Sequence, residues 1–328
     1  MRAVLFAVPA LLVAGAAQAE GFAVFNQSSF ARAAALPALG GPPVLAVGES
    51  QTRLTLDWVS EYVEQQNSRE ALTLDAESQR LALSYRRGFG GSIVSVDGWE
   101  WGVELPLVSS GGGRLDSLIE NWHDIFGLPN GGREQAPRDR YLIRYQRDGQ
   151  TVLSLDEGKA GLGDARVTLG AAFGEHWVLR AMLQLPTGDA DRLTGGHAGG
   201  ALWSDYTLPL GETQRAKLTV SAGLSATETG GPLGAQQEPV AALAGAALSL
   251  PLFWGMEGVT QFNFHSALYQ GSGLEPLDGP SGQLAFGVRL PWAGGAVTLG
   301  VQEDVVVNTS PDFSLHIGLS LGRSAGEK

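Results

Sequence analysis

Residues 53–62 read Arg-Leu-Thr-Leu-Asp-Trp-Val-Ser-Glu-Tyr. In an extended chain successive side chains point to opposite faces, so Leu54, Leu56, Trp58, Ser60 and Tyr62 share one side, and Arg53, Thr55, Asp57, Val59 and Glu61 the other. One face suits hydrocarbon and the other suits water. The run is also long: crossing a bilayer at a tilt takes about 9–11 residues, whereas strands of soluble sandwiches average about 5–6.

The same alternation recurs along the chain. Trp99, Trp101, Val103, Leu105 and Leu107 oppose Glu100, Gly102, Glu104 and Pro106; Trp177, Leu179, Ala181, Leu183 and Leu185 oppose Arg180, Met182 and Gln184. Three later runs, at 216–224, 283–292 and 313–321, repeat it. Aromatic residues stand at the ends of several runs (Trp58, Tyr62, Trp99, Trp177, Trp292, Phe313), where a membrane barrel carries its interfacial girdles. Short turns are read at Asp148-Gly149, 174–176, 210–212, 253–255 and 292–294, alternating with longer loops at 158–162, 187–199, 227–239, 270–281 and 305–312, as periplasmic turns alternate with outer loops. These signals predict an all-β, transmembrane, antiparallel up-and-down β-barrel of about 12–14 strands over residues 49–323, with a C-terminal tail at 324–328. Two segments leave the count open. Arg140 to Asp156 reads either as wall strands or as an outer-loop hairpin, and the alanine-rich run Val240 to Phe253 reads as a strand with a buried helix as the alternative.

Composition agrees. Charged residues make up only 17% of the chain and glycine numbers 46, as expected where apolar lipid-facing residues alternate with small lumen residues. Arg2, an apolar stretch from Val4 to Ala17, and Ala17-Gln18-Ala19 predict a secretory signal peptide over residues 1–19, cleaved after Ala19. Its removal leaves 21 basic against 34 acidic residues, a net charge of −13, which argues against a nucleic-acid partner. The absence of cysteine excludes thiol nucleophiles, thiolate metal sites and disulfides. Residues 20–48 precede the first strand and are read as a periplasmic extension or an N-terminal plug.

Between Ser109 and Asp139 the period becomes helical: Leu115, Leu118, Ile119, Trp122 and Phe126 form one side, and Asp116, Glu120, His123 and Asp124 the other. A short amphipathic helix in an outer loop follows, capped by Ser117 and Glu120 and stopped by Gly127 and Pro129. It is read either as a constriction, with Asp116, Glu120, His123 and Asp124 toward the lumen, or as a lid over the rim. Such an acidic stripe is more often a solvated helix face than a metal site. Glu100, Glu104, Arg140, Arg144, Arg180 and Arg289 are candidate lumen charges, with Asp57, Glu61 and Arg80 beside them. Ser314 and His316 have the two-residue spacing of a membrane lipid hydrolase, but on the face read as lumen and with no third residue identified to orient the histidine. No phosphate loop, nucleotide fingerprint or zinc motif is present, and no cofactor is expected.

Leu105-Pro-Leu-Val-Ser109, the stretch Gly111-Gly-Gly-Arg-Leu-Asp-Ser-Leu-Ile-Glu-Asn-Trp-His-Asp-Ile-Phe-Gly-Leu-Pro129 and Gly131-Gly-Arg133 resemble an uncharacterised family of Gram-negative outer-membrane barrels catalogued as a domain of unknown function (DUF3187). The resemblance implies a cell outer-membrane location, with lipid, lipopolysaccharide and the barrel-assembly machinery as partners, and carries over no functional residue. Leu185-Pro-Thr-Gly-Asp189 also resembles strand ends of outer-membrane channels, including those for hydrophobic compounds. The functional expectations are, in order, a passive channel or transporter for small solutes, a non-conducting structural or interaction barrel, and a lipid-modifying enzyme.

Overall fold

The computed structural model describes residues 21–91, 96–113, 115, 137–292, 294–307 and 309–323. The predicted signal peptide, the loop helix with Asp116, Glu120, His123 and Asp124, and the tail at 324–328 lie outside the described residues.

Fifteen strands follow one another among the described residues: β1 (Ser50–Gln66), β2 (Glu70–Phe89), β3 (Gly98–Gly111), β4 (Leu142–Arg147), β5 (Gln150–Leu155), β6 (Ala160–Leu162), β7 (Ala165–Phe173), β8 (Trp177–Leu185), β9 (Gly199–Leu210), β10 (Ala216–Thr227), β11 (Val240–Pro251), β12 (Glu257–His265), β13 (Ser281–Trp292), β14 (Gly295–Val307) and β15 (Phe313–Arg323). Twelve of them close a ring in the order β1-β2-β3-β7, then β8 through β15 and back to β1, every pairing antiparallel. Closure satisfies every wall strand on both edges, which hydrocarbon requires because it offers the backbone no hydrogen-bond partner. The even count returns the chain to its starting rim, where Ser50 faces Arg323.

The β4–β5 hairpin explains why the strand count was open. The first residues of β2, Glu70 to Asp75, pair with β4, and the rest of the same edge, Glu77 to Phe89, pairs with β3. β4 and β5 therefore extend the sheet beyond the ring, as an outer-loop hairpin, and the wall has twelve strands. This placement corrects one turn. Asp148-Gly149 belongs to the long-loop rim: Asp148 N–H donates to Arg69 O, and Arg147 reaches Gly271 O at 3.0 Å in the loop after β12. The other short turns read from the sequence, at 174–176, 210–212 and 253–255, lie on the opposite rim, and position 293 of the turn at 292–294 lies outside the described residues.

Outward side chains are apolar and bare. Leu105 is 59% exposed, Leu183 63%, and Trp177 and Trp292 over half. Such a belt is costly in water and matches lipid. Val240–Pro251 is a strand, and its small residues have a steric cause: a Cβ on Gly245 would stand 3.1 Å from Leu39, and Gly40 packs on the Ala247 methyl, because another segment presses on this wall from inside.

That segment is residues 21–49. It meets inward side chains of β1, β2, β3, β8, β9, β10, β12 and β13, and a segment touching strands on all sides of a ring lies within it. It enters beside Arg289, climbs to a 3-10 turn at Ala31–Ala33 near the long-loop rim, and descends past Gly40 and Pro42 to β1. At its exit Gly88 is required. Gly88 and residues 48–49 exchange backbone hydrogen bonds, and a Cβ there would meet Leu45 O and Ala46 O at 2.3 and 2.2 Å.

The hydrophobic core sits inside the barrel at its long-loop end. Phe30, Ala35 and Leu36 of the inner segment pack with Leu72, Ile143 and Tyr145 of the wall and hairpin, and with Leu268, Tyr269, Leu274 and Leu277 of the loop after β12. Each large side chain buried in this way contributes about 1.5–3 kcal/mol.

Candidate functional site

The inner segment is polar where it crosses the wall. Asn26, Ser28 and Ser29 offer short side chains that bond locally as well as outward. Asn26 Nδ2 donates to Thr309 O at 2.5 Å and lies 2.8 Å from His265 Nε2, Ser28 Oγ donates to Thr309 O at 3.0 Å, and the Ser29 N–H donates to Glu61 at 2.8 Å. Arg32 donates to Ser78 Oγ and, at 3.4 Å, to Leu193 O. On the way down, Gly40 N donates to Ser221 Oγ at 3.0 Å, Gln261 donates to Leu39 O at 3.1 Å, Arg180 donates to Pro42 O, and Leu45 N donates to Glu100 at 3.2 Å. Gly40 has φ +66°, the left-handed turn that sends the chain back toward the wall.

Below the apolar core the lumen carries linked ion pairs. Glu100 binds Arg86 and, at 3.4 Å, Arg180, which also holds Asp205. Arg80 binds Glu104, which lies 3.8 Å from Arg166, and Arg289 holds Glu257 at 2.8 Å. The guanidinium of Arg166 lies 4.1 Å from the Phe25 ring centre and that of Arg80 5.1 Å, so the ring of the inner segment meets two cations of the wall. Between segment and wall remains a cavity of about 140 Å³, lined by Arg53, Arg86, Glu100, Glu104, Arg166 and Arg180 together with apolar groups.

The structure thus brings Glu100, Glu104 and Arg180 into one network with Arg86, Arg80 and Arg166, and places Arg289 lower, with Glu257. Arg140 stands at the mouth, 2.7 Å from Asp75. Arg144 does not join them: it is exposed on β4, outside the ring. Ser314 and His316 do point inward, and His316 Nδ1 lies 2.7 Å from Asp57 Oδ1, so the structure supplies the orienting residue missing from the sequence reading. The ring of Phe22 packs edge-on against His316, 5.8 Å between centres, which places the pair under the inner segment and away from lipid.

Several lining residues escaped the sequence reading. Arg166 lies on β7, a run too glycine- and alanine-rich to show a clear face. Trp203 is 4% exposed on the inward face of β9, among Ala201, Asp205 and Thr207. A tryptophan on an otherwise polar face is the signal that marks it. The Leu185-Pro-Thr-Gly-Asp189 strand end also gains a cause. Its loop wraps Asp164, whose carboxylate accepts from Gly188 N, Gly196 N and Gln184 Nε2 at 2.8–3.1 Å.

A closed antiparallel barrel with an apolar belt and a lumen crossed by its own N-terminal segment has the fold of an outer-membrane β-barrel. A family model described as "Protein of unknown function (DUF3187)" matches residues 3–322, and the chain belongs to that family. Among solved structures it is similar to the COG4313 outer membrane channel from Pseudomonas putida F1, with a TM-score of 0.59 at 14% identity, covering 85% of this chain and 97% of that one. Weaker likenesses include the β domain of the Bordetella autotransporter BrkA (TM-score 0.46, 13% identity, 84% and 99% covered) and a Pseudomonas aeruginosa FadL homologue (0.39, 9%, 92% and 98%). No curated protein matches the chain.

Proposed function

We propose that this protein is an outer-membrane channel for small solutes and that residues 21–43 are its gate. The carrying observation is the way the inner segment is held: many separate hydrogen bonds and one apolar cluster, with no covalent tie, around a cavity left beside it. Contacts of this kind contribute about 0.5–1.5 kcal/mol each and can be released stepwise. The fold likeness to a channel supports the reading, as does the apolar belt, which suits lipid and lipopolysaccharide as surroundings.

The test is planar-bilayer conductance of the refolded full chain beside a variant lacking residues 21–43, with folding checked by heat-modifiable migration. The full chain is expected to stay closed or flicker, and the variant to conduct steadily. A folded variant that does not conduct overturns the channel reading in favour of a non-conducting structural barrel.

A further inference from the structure

Residues 21–24 of the inner segment are apolar, and the wall they lie on is not. Phe22 and Val24 are buried and cluster with Val259 of β12 and Ala285 of β13. Around those two wall residues the lining is amide and hydroxyl. The strand register sets Gln261, Ala285, Gln302 and Ser314 side by side across β12, β13, β14 and β15, and Gln283 is the next inward residue along β13. Gly21 packs on this row, since a Cβ there would fall 2.5 Å from Gln261 Oε1. Phe22 packs beside it: a Cβ on Gly300, one inward position from Gln302, would fall 3.2 Å from the Phe22 Cζ.

The hydrogen bonds record the mismatch. Gln261 Oε1, Gln283 Nε2, Gln302 Nε2 and Ser314 Oγ are buried and have no partner among the described residues. Buried polar atoms without partners are uncommon and unfavourable. The limb above them is lightly tied: the Gly21 N–H donates to Gly40 O at 2.9 Å, while Arg289 reaches Gly21 O and Asn263 reaches Val24 O only at 3.4 Å. From Asn26 onward the segment is held more closely, at His265, Thr309 and Glu61. The row also differs from the far side of the lumen. The arginine and carboxylate network belongs to β2, β3, β7, β8 and β9, whereas the inward neighbours of the row, Val259, Asn263, Gly287, Thr298 and Gly300, are uncharged.

We propose that residues 21–24 are the moving part of the gate, and that the row they uncover is the track for small uncharged polyols. An amide both donates and accepts, and so does a hydroxyl, so a polyol pairs with Gln261, Gln283, Gln302 and Ser314 where Phe22 and Val24 cannot. A charged solute gives up hydration along this row without meeting an opposite charge, because the charges across the lumen are joined in ion pairs. An apolar solute repeats the mismatch of Phe22. The inference rests on the channel reading and names its moving element and its solute class.

The test is uptake of labelled sorbitol, gluconate and glucamine into vesicles holding the refolded full chain or a variant lacking residues 21–24. The three solutes keep a six-carbon hydroxylated chain while the charge runs from zero through negative to positive. The variant is expected to admit sorbitol at least about threefold faster than the full chain does, and at least about tenfold faster than it admits either ion. A second measurement follows the limb without flux. The chain has no cysteine, so Ala23→Cys supplies a single thiol to be labelled by a water-soluble maleimide. Adding Gln283→Leu and Gln302→Leu removes orphaned amides from beneath the limb and is expected to slow labelling about threefold, because replacing unpaired polar groups by apolar ones is neutral or stabilising. Ordinary damage to the wall would speed it. Equal entry of the three solutes, or no gain on removing residues 21–24, overturns the proposal without any change to the wall, and so does labelling that is unchanged or faster. The two readings fail separately: if the variant lacking residues 21–43 conducts but sorbitol has no advantage, the channel stands and the track falls, and if no variant conducts or admits any solute, both fall.

Discussion

The two ends of the lumen are built from different chemistry. At the long-loop end the tip of the inner segment is sealed into an apolar core whose tyrosine hydroxyls are paired: Tyr269 donates to Phe30 O at 2.7 Å, and Tyr145 donates to Glu70 at 2.5 Å while accepting from Gln236 at 3.1 Å. At the opposite end the same segment runs between arginines and carboxylates and leaves a cavity. Apolar packing is short-ranged and is not weakened by charge screening, so it makes a clamp. A charged lining can exchange one partner for another, so it holds the segment less firmly. One chain segment therefore has a fixed tip and a displaceable lower limb.

Substitutions at the two ends test this contrast. The largest effect is expected for Arg180→Ala, which leaves Asp205 and Glu100 short of their shared partner and frees Pro42 O. Breaking a buried pair from one side costs about 3–5 kcal/mol, readable by equilibrium unfolding in micelles. It should also expose the lower limb, residues 37–45, to added protease before the tip. Protection of the lower limb equal to wild type would erase the distinction between clamp and limb.

Leu277→Ala is the matching change at the clamp. Leu277 is fully buried in the 3-10 turn Glu275–Leu277, and a cavity there costs about 2–5 kcal/mol. Its expected signature is the reverse, with the tip near Phe30 opening to protease before residues 37–45. Cleavage at both ends together in this variant would show that the two ends are coupled.

The smallest effect is expected outside the lumen, at the hairpin tip. Arg69 and Asp148 pair at 2.9 Å but stand 64% and 55% exposed. The hydrogen bond from Arg69 holds the Asp148 carboxyl below its usual range. With the folded value depressed, the contribution is present above the unfolded value of about 3.9 and is lost as the pH falls through the folded one. Asp148→Asn should leave the unfolding midpoint at pH 7 unmoved, because exposed pairs are screened. A clear shift there would make the hairpin part of the clamp.

Much of the wall was legible because the bilayer imposes a rule on every second residue. Leu54, Leu105, Leu183 and Trp177 face lipid and Asp57, Glu100 and Arg180 face the lumen simply by position in an alternating run. Arg144 shows the limit of that rule. It alternates as well as its neighbours do, but β4 lies beyond the ring, and alternation cannot say which strand lies next to which. Trp203 shows another limit, since an inward tryptophan makes sense only once a segment and a cavity stand opposite it.

The amino-acid sequence by itself determined the class of fold, the lipid-facing residues and most of the inward charges, since these follow from a period of two and a length matched to hydrocarbon. Only the tertiary structure decided that twelve strands close the ring, that residues 21–49 run inside it, and that Arg166 and Trp203 border one cavity. The physical reason is that the inner segment has no period. It is held by single contacts to strands scattered through the chain, and which strands those are depends on closure of the ring.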